Sequence, residues 1–147
     1  METTAPVPCR LWFQMARQAD TAVILRRGPQ RWVELILWDT RKDRFERGQW
    51  FHGRIHEERC DLSPDRTNVI YFASKYGKKR DADIPGTWTA ISKPPHLTAL
   101  ALWPSGSMCG GGGGFLDNQR FWHAEGMPLH LRLSLTGLAL RPRRRCD

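Results

Sequence analysis

Along most of this chain apolar side chains recur at every second position, the beat of a β-strand with one buried face. Residues 129–140 show it cleanly: Leu129, Leu131, Leu133 and Leu135 alternate with His130, Arg132, Ser134 and Thr136. A similar texture, richer in β-branched and aromatic residues, predicts strands over 21–26, 32–38, 44–53, 68–74, 87–92 and 97–103. Turn residues separate them. Gly28-Pro29-Gln30 closes a hairpin, Asp39-Thr40-Arg41-Lys42-Asp43 is a polar turn, and Pro94-Pro95 is another. Asp117-Asn118 is the expected tip of a hairpin over 115–124.

One segment departs from this beat. In residues 9–20, Leu11, Trp12, Met15, Ala16 and Ala19 gather on one side of a helical wheel. The spacing predicts a short amphipathic helix. The expected fold class is therefore mainly β: antiparallel sheets in a sandwich or partial propeller-like array, with one short N-terminal helix. Residues 1–140 form one β-rich domain in this reading, and 141–147 a basic tail.

The most telling run is Asp61-Leu62-Ser63-Pro64-Asp65-Arg66-Thr67-Asn68-Val69-Ile70-Tyr71. Proline presets φ at about −65°, and Ser63 and Asp65 carry oxygens that bond nearby backbone. Val69, Ile70, Tyr71 and Phe72 then suit a buried pleated surface. The run predicts a tight turn feeding a core strand. By contrast, Gly110 to Gly114 are five consecutive glycines. Ordering such a run costs more backbone entropy than any other sequence would, so a flexible loop is expected.

Composition sharpens the picture. At 147 residues with 40% hydrophobic content, the chain is long enough for a real core. Seven Trp is high for this length, and Trp commonly sits at a core rim or an interface. The net charge is +8; without residues 141–147, which hold four Arg and one Asp, it is still +5. That balance favours acidic partners. No apolar run approaches the roughly 18 residues of a membrane helix, so no membrane span is expected. Residues 1–8 lack an apolar stretch of signal length, which makes a cytoplasmic setting the expectation. Cys9, Cys60, Cys109 and Cys146 are scattered and read as free thiols, with Cys60 as a small buried residue.

Candidate chemistry is sparse. His52, His56 and Cys60 stand four apart. On a helix they would share a face and suit zinc, but in an extended segment such positions are about 13 Å apart. No metal site is assigned. The glycine run lacks the Gly-Lys-Ser/Thr ending of a phosphate loop, since Phe115 follows it. Ser107 and Cys109 are nucleophile candidates for a hydrolase, without a motif to support them. No catalytic residue and no cofactor is assigned. The basic runs Lys78-Lys79-Arg80 and Arg141, Arg143, Arg144 and Arg145 suit phosphate backbones or acidic proteins.

The run from Cys60 through Asp65 into Val69-Ile70-Tyr71-Phe72-Ala73-Ser74 resembles one blade of a WD-type or TolB-like β-propeller. Leu35-Ile36-Leu37-Trp38-Asp39 resembles the outer part of a preceding blade. Leu62-Ser63-Pro64-Asp65 and Ile91-Ser92-Lys93-Pro94-Pro95 form a propeller-like repeat, each leading into an apolar strand. Arg66 stands where the resembling blades usually carry glycine. The resemblance implies a binding platform. The functional expectation is a non-enzymatic small subunit or adaptor that binds a protein through a Trp- and Arg-rich surface, with Trp50, Trp103 and Trp122 as contact residues. A nucleic-acid-binding protein is the second reading, a hydrolase the third. Self-association through uncovered strand edges stays open.

Overall fold

The structure is a computed structural model that describes residues 9–75, 86–106, 108 and 110–124. The predicted strand over 129–140 lies outside them. Among these residues eleven strands are arranged in two antiparallel sheets and a hairpin. β1 (Arg10–Met15), β2 (Thr21–Arg27), β3 (Trp32–Asp39) and β4 (Arg44–His52) form the first sheet, in chain order. β5 (Arg54–Ile55), β6 (Asp61–Leu62), β7 (Val69–Ser74), β8 (Thr87–Ser92) and β9 (Ala101–Pro104) form the second, ordered β5-β7-β8-β9 with β6 also on β7. β10 (Gly113–Phe115) and β11 (Phe121–His123) pair as the predicted hairpin.

The predicted N-terminal helix is overturned. Arg10–Met15 is a strand, paired with β2 from Arg10 opposite Arg27 to Met15 opposite Ala22. Leu11, Phe13 and Met15 share one face and Trp12 stands alone among Arg10 and Gln14 on the other, and together with Ala16 these positions imitate helical spacing. Pairing with β2 satisfies the backbone groups of one whole edge, which an isolated short helix does not achieve without packing.

The main core lies between the two sheets. Val23, Leu25, Val33 and Leu35 of the first sheet meet Val69, Tyr71, Ala73 and Ala90 of the second, closed by Ile55 and Leu62. At roughly 25 cal/mol per Å² of apolar surface removed from water, this contact drives the sheets together. The opposite face of β7–β9 has its own cluster, in which Ile70, Ile91 and Ala101 meet Phe115 and Phe121 of the hairpin.

Backbone details lock these layers. The Ser63 hydroxyl donates to Asp65 Oδ1 at 2.7 Å and accepts from the Asn68 amide at 2.9 Å. Burial would raise the Asp65 carboxyl, but hydrogen bonds from Thr67 and Ser63 hold it below the usual range. Arg66 sits in the left-handed region at φ 69°. At Gly48 the β3–β4 register shifts, and an added Cβ would lie 2.0 Å from the Pro95 oxygen. This close approach lets Gln49 donate its amide to that oxygen at 3.1 Å. Tyr71 Oη donates to the Leu97 carbonyl at 2.7 Å, tying the same loop to β7.

The glycine run is not a free loop. Gly111, at φ 154°, lies so close to the Phe72 ring that a Cβ would stand 2.1 Å from it. The Gly112 amide donates to Thr89 Oγ1 at 2.8 Å, and Gly113 and Gly114 belong to β10. Side chains are excluded along 111–114 by different neighbours: the Phe72 ring at Gly111, Arg59 at Gly112 and Trp122 at Gly113 and Gly114.

Candidate interaction surface

Strand pairing sets which side chains share a face. On the first sheet, the face turned away from the core carries Leu11, Phe13 and Met15 from β1, with Ala22, Ile24 and Arg26 opposite them on β2. It continues through Trp38, Ile36 and Glu34 of β3 to Phe45, Arg47 and Trp50 of β4. A soluble sheet normally keeps such a face polar. Here Leu11 is 68% exposed, Phe13 59%, Phe45 56% and Trp50 44%. Trp38 stacks on Phe45 with ring centroids 5.7 Å apart and holds Asp43 Oδ1 at 3.0 Å through its indole nitrogen. Both rings are thereby ordered in advance.

A charge cluster crosses the middle of this face. The Glu34 side chain is 1% exposed, although it lies on the outer side. Arg47 covers it with a two-point pair, Nε to Oε1 at 2.5 Å and Nη2 to Oε2 at 2.9 Å. Hydrogen bonding and attraction to Glu34 raise the Arg47 guanidinium above its usual range. Arg26 reaches Glu34 Oε2 at 3.4 Å and lies 5.8 Å over the Trp50 ring. The two arginines and one carboxylate leave a net positive centre set among apolar side chains. β1 also ends the sheet, paired on one side to β2. An end strand of this kind offers backbone groups for a partner strand.

The three tryptophans expected as contact residues do not meet. Trp50 belongs to the outer face just described. Trp103 is half-buried on β9, 4.5 Å from the His123 ring and 5.5 Å from Phe121, so it packs the second cluster. Trp122 is exposed on β11, with the hairpin on the far side of the second sheet. Phe13, Leu11 and Phe45 were missed in the sequence, because alternation does not tell which face is covered. Lys78, Lys79, Arg80, Arg141, Arg143, Arg144 and Arg145 lie outside the described residues, as do Ser107 and Cys109.

The other candidate ligands separate. His52 is tilted against Trp32, centroids 4.7 Å apart. His56 is buried against Phe72, with Nε2 3.3 Å from Ser74 Oγ. Cys60 Sγ donates to the His56 carbonyl at 3.2 Å, and burial pushes its thiol well above the usual range. That thiol is a poor nucleophile. No helix among the described residues is long and apolar enough to cross a membrane. The sequence matches no family model, and neither curated proteins nor solved structures give a significant match.

Proposed function

We propose that this chain is a non-enzymatic interaction module whose contact surface is the outer face of the β1–β4 sheet. The observation that carries the reading is the exposure of Leu11, Phe13, Met15, Phe45 and Trp50 on that one face. Exposed apolar side chains on both edges of one face, flanking an arginine-rich centre, are the composition of a protein interface. The occupant is a partner protein with an apolar centre and acidic groups facing Arg26 and Arg47. A second copy of this chain brings +8 against +8, which opposes self-pairing. The blade-like resemblance carries the same sense, a platform for partners.

The test is purification of the partner from the native host with wild type, Phe13→Asp, Trp50→Ala and Trp122→Ala. Loss of an acidic partner by about tenfold or more for the first two, with Trp122→Ala unaffected, supports the reading. An unchanged complex in both outer-face variants overturns it. So does a purified dimer that Phe13→Asp dissociates, which would seat a second copy there.

A further inference from the structure

Where the first sheet meets the second, its end opens into a cleft of about 540 Å³. Four segments line it: the β2–β3 turn with Arg27 and Arg31, the β4–β5 corner with His52 and Arg54, the end of β7 with Lys75, and Met108. The Gly53 amide donates to the Arg31 carbonyl at 2.8 Å, joining the first two. Among the described residues the lining includes no carboxylate. Arg27 is compensated by Glu57, 2.6 Å from its Nη2, although that buried nitrogen makes no properly angled hydrogen bond. Arg31, Arg54 and Lys75 have no acidic partner among the described residues.

The turn that presents Arg31 is strained. Gln30 and Arg31 have φ of 56° and 65°, and the Trp32 amide donates to the Pro29 carbonyl. A tight turn with both central residues left-handed favours Asn-Gly, and a side chain there costs about 1–2 kcal/mol. Such strain concentrates at ligand clamps. Here it places a guanidinium at the mouth of the cleft. Beside it, Trp32 is 40% exposed and lies against His52, a lining residue.

We propose that this cleft binds a nucleotide, with phosphate held by Arg31, Arg54 and Lys75 and the base laid on the Trp32 ring. The volume is of the size that encloses a small ligand, roughly 300–1,000 Å³. Arginine forks and a lysine ammonium match phosphate oxygens, and aromatic rings take bases by stacking. The site does not depend on the partner-binding reading above. Its ligand comes either from the free nucleotide pool or from a single strand.

The experiment titrates the purified full chain at low salt with ATP, with inorganic pyrophosphate and with a labelled oligothymidine of twelve nucleotides. ATP or the oligomer binds, and the affinity falls as salt rises. Arg31→Gly weakens binding by about tenfold or more while raising Tm, because glycine relieves the left-handed turn. Arg54→Ala weakens binding similarly. Trp32→Ala weakens ATP or the oligomer and leaves pyrophosphate unchanged. Equal affinity for ATP and the oligomer identifies the free nucleotide as the source; an oligomer preference above tenfold identifies a strand. Absence of binding by all three probes overturns the proposal, as does binding that Arg31→Gly and Arg54→Ala leave unchanged.

Discussion

Arg47 lies over Glu34 as a lid, its guanidinium taking both carboxylate oxygens while the carboxylate itself is almost wholly out of water. A buried charge stripped of its main partner is far worse than no charge at all. Arg47→Ala should therefore lower Tm more than Glu34→Met, although the latter removes the whole ion cluster's anion. Glu34→Met should stay within about 1 kcal/mol of wild type, since the two arginines it leaves behind are exposed enough to be solvated and no buried charge remains. Thermal unfolding of the two variants side by side checks the order, and the reverse order defeats it.

Trp103 is expected to serve stability. Its ring fills the space between Phe121 and His123. Trp103→Ala should destabilise by about 2 kcal/mol, below the 3–5 of a fully buried aromatic because one side is still wet. Urea unfolding reads this directly. A midpoint equal to wild type would place the ring outside the second cluster.

Gly111→Ala should destabilise by about 2 kcal/mol or more, since an overpacked core adds to an unfavourable backbone angle. The added methyl meets the Phe72 ring, which is fully buried and has nowhere to move. Gly106→Ala meets open space and should cost less, the penalty there being the left-handed backbone alone. Denaturant midpoints of the pair measure the difference.

His56 makes stability depend on pH. Burial pushes its imidazole below the usual range, Arg54 pushes it the same way, and Glu58 opposes. The folded chain thus binds this proton less readily than the unfolded one. Stability is full above the ordinary histidine value of about 6.5 and falls as pH drops below it. His56→Gln, uncharged throughout, should show a flatter profile between about pH 7 and pH 5. A wild-type profile no steeper than the variant's would contradict the burial of the ring.

Much of the fold was legible. The strands at 21–26, 32–38, 44–53, 68–74, 87–92 and 97–103 appear with boundaries moved by a few residues, and the hairpin tip at Asp117-Asn118 is in place. Alternation and turn residues are local signals, and these segments obey them. Arg10–Met15 misled because apolar side chains leave both its faces: Trp12 turns to the core, while Leu11, Phe13 and Met15 turn to solvent. The candidate site was legible only in part. Trp50 stood out by residue type, whereas the cleft cations Arg31, Arg54 and Lys75 come from three separated segments.

Residue order alone determined that this chain builds antiparallel sheets joined by tight turns, because period-two alternation and Pro, Gly and Asp corners act over a few residues. It also determined the positive charge. Only the tertiary structure decided which sheet face is covered, that Gly111 lies against Phe72, and that three distant cations share one cleft. Those outcomes depend on which surfaces pack against each other, and packing joins residues that no local pattern connects.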